Sequence, residues 1–286
     1  MSKPIWKGFM EIKSLFITTT NMLDIFQYGF AIRGLQAGII IGLIAPLIGM
    51  FLVLRRYSLI ADTLAHVSLA GIAVGFLFQI NPIVTAMVAT VLSSVVIERL
   101  RSSKKVYGES ALAIFLSGSL ALAVVLISLA HGFNVGLLNY LFGSIVTVKQ
   151  ADLFIIGGLG AVVAGVLYLF YKELVYISFD EESARVSGIP TRMINTLLII
   201  LAALTVSLSI PIVGVLLISA LMVIPVVTAL QFRRSFVKTI IIAELVSLFS
   251  VVAGIFSSFY LNLSSGGTIV LIALGVFVVS LGFRKK

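Results

Sequence analysis

Long apolar runs alternate with short polar interruptions along the whole chain. Nine runs can be marked, at about 35–54, 59–78, 83–97, 110–130, 151–170, 192–210, 212–230, 237–260 and 267–283. An α-helix rises about 1.5 Å per residue, so about 20 apolar residues cross a hydrocarbon core about 30 Å thick. Most runs meet that length. The third is short, and the third and seventh are the two that could be partly re-entrant. The pattern predicts an all-α, polytopic membrane protein with eight or nine transmembrane helices. Residues 1–33 mix apolar positions with Lys3, Lys7, Lys13, Asp24 and Arg33, which suits an interfacial helix better than a span. That leaves 34–286 as one membrane domain, without an internal repeat or a linker.

Two connections depart from plain loops. Residues 131–150 are too apolar for a loop and too broken by Gly and Asn for a span, which predicts short interfacial or re-entrant helices. Residues 176–190 are polar, with Asp180 placed as an N-cap, Arg185 in a later turn, and Gly188 and Pro190 as a stop. They predict a short helix lying along the membrane surface. Lys and Arg set the orientation. Arg55, Arg56, Arg99, Arg101, Lys104, Lys105, Lys172, Arg185, Arg192, Arg233, Arg234, Lys238, Arg284, Lys285 and Lys286 all fall on one side if successive runs cross the membrane. That side is assigned to the cytoplasm, C-terminus included. The basic residues of the N-terminal segment run against the assignment.

Composition narrows the function. The chain is 60% hydrophobic and 11% charged, with a mean hydropathy of +1.21, more apolar surface than a soluble domain hides. A net charge of +9 invites nucleic acid as a partner. The basic residues sit between apolar runs rather than in one patch, so membrane topology explains them and no nucleic-acid partner is expected. The absence of cysteine removes disulfides, thiolate ligands and thiol nucleophiles. The first thirty residues are too polar for a cleavable signal. No Walker A pattern occurs, so nucleotide hydrolysis would fall to another chain.

The candidate chemistry lies in the second run. Asp62 and His66 are four residues apart, hence on one helical face about 6 Å apart along the axis. Each ionisable group in lipid costs about 2.5 kcal/mol or more, and such groups mark ion or substrate paths. Carboxylate oxygen and imidazole nitrogen suit Zn²⁺ or Mn²⁺. Two ligands make half a site, which a two-fold copy of the chain would complete. The ordinary alternatives are that Asp62 pairs with Arg55 or Arg56, and that His66 donates to a backbone carbonyl. Ala61, Ala65, Ser68, Gly71 and Gly75 form a strip that suits either helix packing or a face turned to a symmetry mate. His131 reads as a solvated loop residue, Glu109 as a helix-start acid, and Glu244 as a distant accessory group. Pro46, Pro211 and Pro225 are candidate kinks.

Four stretches together resemble one family: RRYSLIADTLAHVSLAGIAVGF (55–76), LLNYLFGSI (137–145), ISFDEESARVSGIP (177–190) and VGVLLISALMVIPVVTAL (213–230). The chain is similar to the integral-membrane permeases of zinc and manganese ABC importers. The resemblance implies a homodimeric permease of the bacterial cytoplasmic membrane, bound to a cytoplasmic ATPase dimer and served by an extracellular metal-binding lipoprotein. Zn²⁺ or Mn²⁺ is then substrate, and no permanent cofactor is expected. Asp62 and His66 match the family's metal-coordinating pair. Phe179, Asp180, Glu181, Glu182, Ala184, Arg185, Gly188 and Pro190 match its ATPase-coupling helix. Asn139, Leu141 and Phe142 match the outer region that helps close the path. Ser58, Leu59 and Ala61 look closer to the zinc branch. A proton-coupled carrier using Asp62 and His66 as a relay is the second reading, and an ABC permease for a metal chelate the third. An intramembrane metalloprotease lacks an HExxH set.

Overall fold

Residues 24–103, 107–129 and 135–282 are described in a computed structural model of the chain. A 3-10 turn at Asp24–Gln27 precedes α1 (Gly29–Leu54), α2 (Ser58–Phe78), α3 (Pro82–Ser102) and α4 (Gly108–Leu129). Then come α5 (Val135–Phe142), a 3-10 turn at Ile145–Thr147, α6 (Gln150–Leu169), α7 (Tyr171–Phe179) and α8 (Glu181–Val186). The chain closes with α9 (Thr191–Val213), α10 (Ile218–Leu230), α11 (Phe236–Leu261) and α12 (Ser265–Gly282). Eight of these are long and apolar enough to cross a membrane, and α10 is a ninth, shorter apolar helix. Among the described residues there are no strands. The interfacial helix expected at the N-terminus lies mostly outside the described residues, and α1 already begins at Gly29.

The helices that carry the most enclosed faces are α9, α2 and α1. They meet in one apolar core with α6 and α10, through Ile41, Ile48, Ile60, Leu64, Ile156, Leu198 and Leu221 among others. Outside them stand α3, α4, α11 and α12. Between helices the polar contacts are few. Thr90 of α3 and Ser207 of α9 share a buried hydrogen bond at 2.7 Å, so neither hydroxyl is left bare in an apolar layer.

The third apolar run belongs to a helix of 21 residues, long and apolar enough for a full crossing. Asn81 caps it by accepting from the Ile83 N–H at 2.9 Å, with Pro82 in the first helical position. Past the apolar run, Glu98 is buried yet takes two hydrogen bonds from Arg101, at 2.9 and 3.1 Å. A charge held that way lets the helix continue where hydropathy alone would end it. The seventh run is divided. Its first residues, Ile212 and Val213, finish α9, the chain turns at Gly214, and α10 follows. Thirteen residues give α10 a length of about 20 Å, short of a full crossing. The break is held by protein rather than lipid: the Val215 and Leu216 N–H groups donate to Tyr140 and Leu141 of α5. Gly143 and Gly214 both have positive φ, and a Cβ on Gly214 would meet Gly143, Leu141 and Phe142 backbone atoms within 2.6 Å.

The two ends of the bundle differ. One gathers the α1–α2 turn, the end of α3, and α7 and α8. The other gathers α5 with the α9–α10 and α11–α12 turns. Short helical elements occupy Val135–Phe142 and Ile145–Thr147 within the expected stretch, while residues 130–134, His131 among them, lie outside the described residues. The surface segment at 176–190 is more than one short helix: α6 breaks at Phe170, α7 runs on to Phe179, and only then does α8 begin. Close approach also governs the middle, where a Cβ on Gly49 of α1 would lie 1.9 Å from the Met222 carbonyl oxygen of α10. Gly49→Ala should therefore destabilise the bundle by about 1–3 kcal/mol, as overpacked cores do. Gly165→Ala, at a site with nothing within 4 Å, should leave the melting temperature in detergent unchanged or raised.

Candidate metal-pathway site

Small residues bring α2 hard against α3. A Cβ on Gly71 would fall 2.6 Å from the Ala86 Cα, and one on Gly75 would fall 2.8 Å from the Pro82 Cα. Ala61, Ala65 and Ser68 are likewise buried. The strip of small residues is thus an intrachain packing face, the first of its two readings. With α3 and α4 covering α2 on those sides, a different stripe stays open. Leu59, Asp62 and His66 follow one another on one face of its first turns, and each is exposed or partly exposed.

Neither ordinary partner appears on that stripe. Asp62 makes no ion pair or hydrogen bond with any described residue. Arg55, one of its two candidate partners, instead donates to Glu181 at 3.2 Å, and Arg56 forms no ion pair with it. The His66 Nδ1 is sheltered and has no hydrogen-bond partner among the described residues. A histidine serving only the core would have donated to a carbonyl. An acid and an imidazole, one turn apart, thus lie on a partly exposed face of α2 without partners among the described residues. Among the described residues no cluster of three His, Cys, Asp or Glu side chains that could hold a metal exists.

The remaining singled-out residues fall elsewhere. Asn139 and Phe142 line a cleft of about 610 Å³ at the far end, together with Tyr28, Ser144 and Ser258. Leu141 is bound into the same end by its carbonyl, which accepts from Leu216 at 3.3 Å. From His66 to Phe76 is ten residues of helix, about 15 Å, and Phe76 meets Tyr140 edge-on at 5.9 Å. So the pair and the α5 region lie along one helix, not side by side. Glu109 stands exposed in the first turn of α4. Glu244 sits within α11, its carboxylate oxygens sheltered and unpartnered among the described residues, and not with Asp62.

At the opposite end, Asp180 caps α8 through the Ser183 N–H at 2.9 Å and the Ser183 hydroxyl at 2.5 Å. These bonds, the hydroxyl first, hold its carboxyl below the usual carboxylate range. Phe179, Glu182 and Arg185 are exposed around it, Ala184 is buried, Gly188 turns with φ 86° and Pro190 leads into α9. Sequence reasoning missed Tyr57, Glu98, Arg101 and Asn195, which surround the base of α8 and α2. Only the charges of Glu98 and Arg101, just past the third apolar run, signalled them.

Comparison with known proteins places this geometry in a family. Residues 27–284 match the ABC 3 transport family. The chain is 39% identical over 259 residues to a probable metal transport system membrane protein of Treponema pallidum, covering 91% of this chain and 97% of that one. It is 32% identical to the high-affinity zinc uptake system membrane protein ZnuB of Haemophilus influenzae, over 88% and 97% of the two chains. It is 30% identical to the manganese transport system membrane protein MntC of Halalkalibacterium halodurans, over 92% and 90%. The fold superimposes on PsaBC of Streptococcus pneumoniae, solved with a Fab, at a TM-score of 0.82 and 30% identity, covering 91% and 94%. With its broken α9–α10 crossing and its match over nearly its whole length, the chain belongs to the ABC 3 transport family and is the membrane-spanning permease subunit of an ABC transporter.

Proposed function

We propose that the chain carries a bare divalent transition metal, Zn²⁺ first and Mn²⁺ second, inward across the bacterial cytoplasmic membrane. The observation that carries this reading is the unpartnered Asp62 and His66 on the open stripe of α2. Relatives named for metal, zinc and manganese transport support the class of cargo. In a homodimer with the two α2 stripes face to face, two carboxylates and two imidazoles would give a tetrahedral O₂N₂ set, which suits zinc. The side rich in Lys and Arg, with α8 and the C-terminus, is the cytoplasm in this reading. There α8 meets an ATPase dimer, and ATP is hydrolysed on that separate chain. An extracellular metal-binding lipoprotein delivers the ion to the α5 end, where Asn139, Leu141 and Phe142 close the path.

The chemistry then follows from exclusion and exchange. The ion arrives without a shell of bulky ligands, because the pair offers direct coordination on a single helix face. A proton competes for the same imidazole nitrogen, so the site holds metal less well as pH falls. Movement of α8 with the ATPase exchanges outward for inward access.

Asp62→Ala and His66→Ala should each reduce zinc uptake beyond the 10–100-fold that loss of an outer-sphere partner typically costs. Dimer and ATPase assembly should remain intact, and wild-type uptake in either variant would remove the pair from the mechanism. Vesicles holding the permease without its ATPase should take up no zinc under a pH gradient. Uptake there would favour the proton-coupled carrier instead. For the ATPase contact, Asp180→Ala should weaken ATPase binding in a pull-down from detergent, while Asp180→Asn, which still caps, should retain it. Because the folded pKa of Asp180 lies below its ordinary value of 3.8, the charged cap is present at neutral pH and is lost only as acid carries the pH through that lowered value.

A further inference from the structure

Glu181, the first residue of α8, holds two other elements at once. Its Oε2 accepts from Arg55 Nη2 at 3.2 Å, and its Oε1 accepts from Asn195 Nδ2 of α9 at 3.0 Å. Arg55 caps the C-terminus of α1, and its side chain is only 4% exposed. Two residues later, Tyr57 is the N-cap of α2. The Arg55 guanidinium lies 4.8 Å from the Tyr57 ring centroid, and that of Arg101 lies 3.8 Å from it. Arg101 is fixed in turn by Glu98. Tyr57 is therefore gripped by two cations, one belonging to α8 through Glu181 and one to α3. Cation–π contacts of this kind strengthen when desolvated. Asp62 stands five residues further along the same helix.

The grip is incomplete in an informative way. Arg55 Nη1 is sheltered and has no partner among the described residues, and the same holds for Asn195 Oδ1. One is a donor and the other an acceptor, and both residues bind the same carboxylate. Displacement of Glu181 with α8 would take from Arg55 and Asn195 the carboxylate that both now bind, and would cut the tether of the Tyr57 ring to α8.

We propose that Glu181, Arg55 and Tyr57 form the relay that passes displacement of α8 to the base of α2, and so to Asp62 and His66. This rests on the reading above in which α8 meets the ATPase. Arg55 and Tyr57 are positioning residues: neither touches the ion.

The test is the complete assembly, permease with its ATPase and donor protein, in proteoliposomes, with zinc uptake and ATP hydrolysis followed together. Wild type should move zinc only with ATP. If it does not, the transport reading fails before the relay is at issue. Arg55→Gln should still hydrolyse ATP but move at least about tenfold less zinc per ATP, as loss of a charge-assisted bond to a buried arginine implies. Tyr57→Leu should lower the same ratio, whereas Tyr57→Phe, which keeps the ring, should match wild type. Should Arg55→Gln fail to assemble, the Leu and Phe variants of Tyr57 decide. A zinc-to-ATP ratio unchanged in Arg55→Gln or, where that variant does not assemble, in Tyr57→Leu overturns the relay.

Discussion

A carboxylate and an imidazole without partners, on an apolar helix, set the terms for the rest of the fold. Each is costly in lipid unless something binds it, and translocon-type scales put that cost at about 2.5 kcal/mol or more per group. Nothing in the described chain answers either one. The folding of α2 is arranged so that this is so. Its small residues press into α3, its apolar face enters the core with α1 and α9, and the stripe left over carries Asp62 and His66. Arg55, one of the two cations that the sequence offered to Asp62, is taken by Glu181.

Around that helix the bundle has two ends of different chemistry. At one, polar side chains hold the elements: Arg55 pairs with Glu181 from far along the chain, Asn195 donates to the same Glu181, and Arg101 pairs with Glu98 within α3. At the other, backbone meets backbone, with Gly143 and Gly214 allowing α5 to supply carbonyls to the break between α9 and α10. Polar side chains grip one end, and close main-chain contact closes the other. A single helix, α2, runs from Tyr57 at the first to Phe76 at the second. An event at α8 thus has a short physical route to the pair, and the pair has one to α5.

Much of this was legible in the sequence where the physics is local. Hydropathy marked the spans, four-residue spacing put Asp62 and His66 on one face, and Asp180 three residues before Ser183 and its neighbours announced a cap. What failed was what depends on a distant partner. The third run looked too short because Glu98 and Arg101 read as interruptions, when their mutual bonds let α3 continue. The seventh run was suspected of not crossing fully, but the place of its division at Gly214 was not legible, because the groups that satisfy it, the Tyr140 and Leu141 carbonyls, lie some seventy residues earlier. The surface helix expected over 176–190 turned out to be two, because the chain already continues as α7 from Tyr171 and α8 begins only after Asp180. Whether Asp62 paired with Arg55 turned on Glu181, more than a hundred residues away.

The central claim is that Asp62 and His66 coordinate the cargo jointly, in two copies. X-ray absorption at the zinc edge of the purified dimer loaded with Zn²⁺ tests it most directly. The account predicts a four-coordinate shell of nitrogen and oxygen at about 2.0–2.2 Å, with the nitrogen scattering lost in His66→Ala. A zinc spectrum that His66→Ala and Asp62→Ala leave unchanged would contradict it.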